Sequence, residues 1–134
     1  MKLLPRGAPP PDVLARIRLI CLEHPGVHEE TAWAGIRWNT GRKNFAHAIT
    51  IDRGWPPAYA SAASIDDGCV LTFRLEREQC AAQRFRRAPF FRPVWFPNIA
   101  GVVIDARTDW DEIELLLKGS FRVLATKKLA VLVE

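Results

Sequence analysis

One cysteine and two histidines lie close enough together in the sequence to suggest a metal site. Cys21, His24 and His28 fall within one stretch of eight residues, and thiolate and imidazole groups are common zinc ligands. However, Pro25-Gly26 should turn the chain between the two histidines, and a fourth ligand is missing. Cys21 also falls on the apolar side of a predicted helix. The pattern favours a buried thiol with surface histidines, and we expect no metal.

Residue types used in catalysis occur, but not in arrangements that support it. Cys80 lies among alanines, with arginines nearby and no histidine or aspartate at the spacing a nucleophile needs. Asp66 and Asp67 are typical of a solvated loop, whereas Asp109 and Asp111 are best placed to cap a helix. The sequence contains no phosphate-binding loop, nucleophile elbow or dinucleotide fingerprint. We therefore predict a protein without catalytic residues or a cofactor.

Positive charge is concentrated in one part of the chain. Residues 74–92 contain six arginines and two glutamates, a surplus of four that equals the net charge of the whole chain, +4. Such a patch attracts anionic partners, although these arginines would equally suit the solvated face and C-terminal end of a helix. Further cations flank a predicted hairpin and lie on the last predicted helix. The candidate nucleic-acid-binding residues are Arg37, Arg42, Lys43, Arg84, Arg86, Arg87, Lys127 and Lys128.

The spacing of apolar residues predicts a mixture of helices and strands. A first helix should begin at Val13, capped by Asp12, and stop at Pro25-Gly26. Strands are predicted over 29–34, 35–38, 43–52, 69–75 and 101–105, with a helix over 76–87. Two more helices follow the last strand. Gly119 is typical of the end of the first of them, and Ser120 of the cap of the second.

Two internal segments carry sharper predictions. In the strand at 43–52, Phe45 should share the core-facing side with Ile49 and Ile51, leaving Thr50 on the solvent side. Residues 53–68 are rich in proline, glycine, serine and aspartate. We expect this segment to be a flexible loop.

Composition indicates one soluble domain of 134 residues, about half apolar and a quarter charged. Four prolines fall within the first eleven residues, so residues 1–11 are predicted to form a flexible arm and residues 12–134 the domain. We read neither a membrane span nor a secretory signal in the sequence. The three cysteines lack paired spacing and are typical of reduced thiols, which predicts a cytoplasmic location.

Short motifs occur in a fixed order along the chain. The first are residues 21–27 with Glu29-Glu30, then 43–46 and 71–75. The closing group comprises Trp95, residues 102–105, Trp110, Leu116-Leu117, Ser120-Phe121 and Lys127-Lys128-Leu129. Together these motifs resemble the MmcQ/YjbR family over nearly the whole of residues 13–130. Two features depart from the family: Phe121 replaces its usual tyrosine, and the 53–64 loop contains no family motif.

The resemblance implies a two-layer α+β fold, with an antiparallel sheet and helices packed on one of its faces. Secretion chaperones and frataxin-like proteins have similar folds. The alternation of helical and strand patterns favours the same class. The family is described as predicted to bind DNA and has no agreed catalytic residues. Our leading hypothesis is a small non-enzymatic cytoplasmic protein that binds DNA through its arginine-rich surface.

Two other functions stay open from the sequence. One is an adapter that binds a protein partner or a second copy of itself, through a sheet edge, a helix face or the segment 90–93. The other is a small-ligand pocket lined by Trp33, Trp38 and Trp95, although no convergent polar groups accompany these rings in the sequence. These patterns do not encode strand order, oligomeric state or ligand identity.

Overall fold

The structure is a computed structural model that describes residues 4–133. The first three residues of the predicted arm and the last residue of the predicted domain lie outside this range. The α-helices are α1 (Pro11–Leu22), α2 (Pro57–Ala63), α3 (Trp110–Leu124) and α4 (Lys127–Ala130). The strands are β1 (Val27–Thr31), β2 (Ile36–Thr40), β3 (Lys43–Ile51), β4 (Gly68–Arg74), β5 (Phe90–Phe91) and β6 (Ile99–Ile104). Short 3-10 helices span Arg77–Gln79, Gln83–Arg86 and Val131–Val133.

The strands form one antiparallel sheet in the order β1-β2-β3-β4-β6-β5. β6 lies between β4 and the two-residue edge strand β5. The long connection after β4 therefore leads to the edge strand β5, and the chain then returns as β6 between the two. Each predicted strand corresponds to an observed strand whose ends lie within three residues of the prediction. The α+β class with an antiparallel sheet is confirmed.

The helices α1 and α3 cover one face of the sheet, which we call the helix face. On α1 the buried residues Leu14, Ile17 and Cys21 recur every three to four positions, as burial of one helix side requires. The buried residues of α3 are Ile113, Leu116, Leu117, Ser120 and Phe121. Both sets join the main core with inward-facing residues of the central strands. This layer covers one side of the sheet, and the other side is covered in part by α2.

Ser120 joins α3 to the sheet. The prediction that it caps a new helix is wrong. α3 continues through Gly119, so the Ser120 side chain turns inward and is fully buried. Its hydroxyl accepts a hydrogen bond from the Arg74 backbone N–H at 2.8 Å and donates one to the Phe45 carbonyl at 2.6 Å. These groups lie just beyond the last register pair of β3 and β4. The hydroxyl therefore bridges two strand ends that do not bond each other directly.

Both faces of β3 are buried, which changes the predicted arrangement of its side chains. A β-bulge in the β2–β3 pairing leaves Phe45 without a register partner, and its ring joins the main core on the helix face. Ile49 and Ile51 belong to a second apolar cluster on the opposite face. Thr50, predicted to face solvent, donates a hydrogen bond to the Ala8 carbonyl at 2.8 Å. The prediction was right that Phe45 and the isoleucines are buried and wrong that they share a face.

Helix α2 lies within the segment predicted to be a flexible loop. Pro57 occupies its first position, where the missing N–H of proline costs no intrahelical hydrogen bond. Its buried residues Tyr59 and Ala60 pack in the second apolar cluster with Ile49 and Ile51. The loop prediction is therefore wrong for Pro57–Ala63, because the turn-forming residues enclose a helix that covers part of the sheet.

The described part of the proline-rich arm is docked to the sheet. The backbone carbonyls of Arg6 and Gly7 accept hydrogen bonds from the N–H groups of Gly35 and Thr50, at 2.9 and 2.7 Å. These bonds tie the arm to the start of β2 and to β3. From Arg6 onward the arm thus lies against the sheet, and the flexibility expected for residues 1–11 remains a prediction.

The arginine-rich segment is not the continuous helix predicted over 76–87. Two 3-10 helices, Arg77–Gln79 and Gln83–Arg86, take its place. Phe85 anchors the second of them and is fully buried. A regular helix here would need apolar residues recurring every three to four positions, and the segment lacks them. Its order of charges suited a helix, but charge order alone does not bury a helix face.

Candidate ligand-binding face of the sheet

Polar residues cross the sheet on the side opposite α1 and α3, which we call the open face. Arg37, His47, Thr72 and Gly101 are successive register partners on β2, β3, β4 and β6. Register partners share a face and lie roughly 5 Å apart. His47 and Thr72 are each 7% exposed. Buried sheet positions usually carry apolar side chains, so this polar row is unusual.

A second polar group lies beside this row, toward the β2–β3 hairpin. The Asn44 side-chain amide donates to the Asn39 side-chain oxygen at 3.5 Å. Asn39 in turn donates to a Glu30 carboxylate oxygen at 2.6 Å, and the same oxygen pairs with the Arg37 guanidinium. The charge of Arg37 is therefore partly balanced, and its side chain remains 42% exposed.

His47 connects the open face to α2. Its Nε2 lies 2.7 Å from the Ala34 carbonyl and must donate to it, so Nδ1 accepts from the Tyr59 hydroxyl at 3.1 Å. Burial lowers the pKa of His47; the bond to Ala34 opposes this shift, and the charge of Arg37 adds to it. Burial raises the pKa of Tyr59 to about 12. Near neutral pH the pair is uncharged, and it holds α2 against the sheet.

Aromatic rings follow one another along this face. The Tyr59 ring contacts Trp95 at a centroid distance of 4.7 Å and Trp33 at 6.4 Å. Trp33 meets Trp55 at 5.8 Å, and the Arg6 guanidinium carbon lies 3.6 Å from the Trp55 ring centroid. Trp33 is 66% exposed and Trp95 37% exposed. We call these five residues the aromatic band; its exposed rings are surfaces on which a flat ligand can stack.

Arg74 ends β4 on the same face, beside another exposed ring. Its Nη1 donates to the Asn98 side-chain oxygen at 3.3 Å and its Nε to the Asn44 carbonyl at 3.5 Å. The Phe96 ring centroid lies 5.4 Å from the guanidinium carbon. Burial lowers the pKa of Arg74. Within residues 4–133, carboxylates pair with Arg18, Arg37 and Arg84. Arg74 is thus a half-buried cation whose hydrogen-bond partners are neutral.

Three of the eight predicted nucleic-acid-binding residues lie on or beside the open face. Arg37 belongs to the polar row, and Arg42 and Lys43 lie at the adjoining hairpin turn, where both are exposed. The turn places their charges at the end of the face that also carries Asn44. Trp33 precedes β2 and Trp55 follows β3, so these two rings lie toward the other end of the strands from the hairpin turn.

The other five predicted residues lie elsewhere. Arg84, Arg86 and Arg87 adjoin β5, at the opposite edge of the sheet from the hairpin, and Arg84 pairs with Glu112 of α3 at 3.3 Å. Lys127 and Lys128 are exposed on α4. The eight cations therefore do not form one continuous surface, because two strands of the sheet separate the hairpin pair from the β5 group.

The stretch considered for a metal site packs against the main core. Cys21 is fully buried on α1. The His24 ring stacks on Phe121 with a centroid distance of 4.9 Å, and burial lowers the pKa of His24. His28 lies on β1 and is exposed. The imidazole of His24 thus has a packing role.

A cleft of about 810 Å³ lies at the other edge of the sheet, between the end of α2, β5 and the start of α3. Its lining includes Arg84 and Arg107 together with Asp105, Asp109 and Glu112. Arg84 already pairs with Glu112, and Asp109 caps α3 by accepting from two backbone N–H groups. The lining thus carries two arginines and three carboxylates, and has no surplus of positive charge.

Two rings of the aromatic band were predicted from the sequence, and the residue between them was missed. Trp33 and Trp95, proposed to line a pocket, both contact Tyr59, whereas Trp38 is buried on the helix face and donates to Glu29 at 2.9 Å. Tyr59 was missed because it fell in a segment predicted to be a loop. One signal for the site was present: His47 interrupts a strand that is otherwise largely apolar.

Comparisons with known proteins agree with this architecture. Neither a family model nor a curated protein matches the sequence. Among solved structures, the chain is similar to protein DR2400 of Deinococcus radiodurans, which contains a DUF419 domain. The TM-score is 0.62 at 14% sequence identity, over 90% of this chain and 86% of that one. Within residues 4–133 no helix is both long and apolar enough to cross a membrane. The chain therefore shares the fold of this DUF419 protein, which belongs to the YjbR/MmcQ-like fold family.

Proposed function

We propose that the protein binds single-stranded DNA across the open face of its sheet. The observation that carries the proposal is the aromatic band, in which exposed tryptophan rings lie on the same face as arginine side chains. Binding single strands without strict sequence preference requires flat rings for base stacking and cations that follow the phosphates. Trp33, Trp95 and Phe96 would supply the rings. Arg6, Arg37 and Arg74, together with Arg42 and Lys43 at the hairpin, would supply the charge.

The open face suits a single strand better than a duplex. The exposed rings project from short segments beside the sheet, where unpaired bases can reach them, whereas bases within a duplex are already stacked on each other. The described helix on the open face, α2, has only seven residues and packs on the sheet through Tyr59 and Ala60, whereas the longer helices α1 and α3 lie on the opposite side. The open face therefore presents no long helix to a major groove.

The proposal is for a binding protein without a catalytic step of its own, acting in the cytoplasm. Cys21, Cys69 and Cys80 are unpaired thiols, and the first two are buried. Such thiols persist in a reducing compartment. This supports the cytoplasmic assignment that the sequence also favours.

The test is a fluorescence anisotropy titration of a labelled oligothymidine at several salt concentrations. We expect binding that weakens with salt, and Trp33→Ala and Phe96→Ala should each weaken it by roughly 1–3 kcal/mol, the usual contribution of one stacked base. Leu115→Ala is the matched control, because Leu115 is equally exposed but lies on α3. If the oligonucleotide fails to bind at low salt, or if all three variants weaken binding equally, the proposal is wrong.

A second candidate function is self-association, favoured by an apolar tip next to the band. Val94 is 96% exposed and Phe96 56% exposed, and they flank Trp95. The segment 90–93, expected from the sequence to be the exposed one, is mostly packed, since Phe91 and Pro93 are buried. Sedimentation equilibrium should then show a dimer that Val94→Lys dissociates. A monomer at all concentrations would remove this candidate.

A further inference from the structure

We propose that Arg74 and Asn98 form a subsite for one phosphate group of the bound strand. This inference rests on the proposed function and adds to it the residue that anchors the backbone. Arg74 was not among the cations that the sequence singled out for nucleic-acid contact. Its side chain lies on the open face because alternation along β4 places it on the same side as Thr72.

Arg74 pairs with no carboxylate among the described residues. Arg74 is half-buried and has lost part of its hydration, yet its partners in the described residues are neutral amide and carbonyl oxygens. A partly buried charge without a counter-charge is costly, and proteins usually supply a carboxylate to offset that cost. Arg18, Arg37 and Arg84 all have one within hydrogen-bond distance. An anionic ligand would provide the missing charge at Arg74.

The Arg74 guanidinium is held only loosely by its neighbours among the described residues. The two hydrogen bonds of Arg74 are long, at 3.3 and 3.5 Å, and use only Nη1 and Nε. A guanidinium carries five N–H donors in a planar fork that matches two oxygens of one phosphate. Asn98 accepts from Arg74 through its side-chain oxygen, which leaves its amide group as a further donor beside the fork. The site therefore offers donors in excess of the acceptors around it.

An aromatic ring beside Arg74 indicates the class of anion that this site would bind. The Phe96 ring flanks the guanidinium, and Trp95, the preceding residue, belongs to the aromatic band. A charged site next to exposed rings fits a ligand that alternates phosphates with flat bases. A simple carboxylate would use the fork but not the rings. The geometry therefore favours a nucleotide phosphate.

The backbone of Arg74 is fixed independently of its side chain. Ser120 accepts a hydrogen bond from the Arg74 N–H, and β6 pairs with the same residue from the other side. A ligand would thus meet a guanidinium whose attachment point is already positioned. Preorganisation of this kind lowers the entropy cost of binding.

The experiment compares Arg74→Gln, Arg74→Lys and Asn98→Ala with the control Arg86→Gln. Arg86 is an exposed arginine beside β5, so its substitution makes the same change in net charge away from the open face. Oligothymidine affinity is measured over a range of salt concentrations, and thermal melts confirm that each variant folds. We expect Arg74→Gln to weaken binding about ten- to a hundredfold and to reduce the salt slope by about 0.7, the value for one phosphate contact on a single strand. Arg74→Lys keeps the charge but loses the planar fork, so its oligothymidine affinity should lie between those of the wild type and Arg74→Gln. The affinity of Arg86→Gln should equal that of the wild type.

A second measurement separates this inference from the proposed function. Inorganic phosphate and thymidine monophosphate are titrated into the wild-type protein while the Arg74 Nε–Hε resonance is followed by NMR. A shift that saturates with either probe supports the subsite even if no oligonucleotide binds. Oligothymidine binding with equal affinity and salt slope in wild type and Arg74→Gln would overturn the subsite while leaving the proposed function standing. No shift with either probe, in a protein that also binds no oligonucleotide, would overturn both.

Discussion

Replacing Ser120 with alanine is the sharpest test of how the two layers are joined. The Ser120 hydroxyl is fully buried and satisfies both the Arg74 N–H and the Phe45 carbonyl. Alanine would leave a donor and an acceptor without a partner where water does not reach the hydroxyl. Each such group costs about 1–3 kcal/mol when it is left unsatisfied.

The expected total is about 2–4 kcal/mol, at the lower end of the sum of two groups, because the strand ends can partly close toward each other. For a domain of this size 1 kcal/mol lowers Tm by roughly 3–5 °C, so the variant should melt on the order of 10 °C lower. The serine's removed oxygen changes core volume little, so packing contributes little to this value.

Urea unfolding followed by tryptophan fluorescence measures the effect, with circular dichroism as a second probe. The m-value should stay constant, because the surface exposed on unfolding is the same. Ser61→Ala, at an exposed position on α2, is the matched control and should change stability by less than about 0.5 kcal/mol. A Ser120→Ala variant as stable as the control would refute the bridging role.

Three further predictions concern other parts of the fold. Burial lowers the pKa of His47 in the folded state. The free energy of unfolding should therefore reach its full value above about pH 6.5 and decrease as the pH drops toward the lower pKa of the folded state. In urea titrations at several pH values, His47→Gln should make this decrease shallower. A Cβ at Gly101 would overlap the Phe91 ring, so Gly101→Ala should cost about 1–3 kcal/mol by calorimetry, and in the Phe91→Ala background it should cost almost nothing. Asp109→Ala removes the cap of α3 and should cost about 1 kcal/mol in chemical denaturation, an effect that Asp111→Ala should not reproduce.

Elements whose signals are local could be predicted from the sequence. Alternating apolar residues gave β3 and β4 to within a residue at each end, and Asp109 was one of the two residues proposed to cap α3. These signals depend on neighbours one to four positions away, which the sequence displays directly. The side of the sheet that a residue faces cannot be predicted from such local signals. The bulge that places Phe45 on the helix face depends on pairing with β2.

The helix α2 was missed because the prolines at its start are compatible with two different local structures. Pro56 and Pro57 suit a turn and also the start of a helix, and the surrounding glycines and aspartates favoured the turn. The buried Tyr59 could have decided the matter, since an aromatic residue followed by alanines is typical of a packed helix. The continuous helix over 76–87 failed for the opposite reason: its charges were in a suitable order but no apolar stripe supported it.

The candidate site was less predictable than the fold. Arg74, His47 and Tyr59 are separated by up to 27 positions in the sequence, and only strand register and the docking of α2 bring them to one face. The sequence did identify Arg37, Arg42 and Lys43, but it grouped them with the arginines beside β5. Charge surplus marks a segment, whereas a site requires that the charges meet in space, which depends on strand order.

The Ser120 bridge also has a consequence for the order in which the molecule comes apart. The Arg74 amide proton is held by a hydroxyl from α3, whereas its neighbours on β4 are held by adjacent strands. Deuterium can replace that proton only when the helix lifts from the sheet, while replacement at the neighbouring positions needs the strands to separate. The ratio of these exchange rates therefore reports whether the helical layer detaches before the sheet opens or whether the two layers are lost in a single cooperative step.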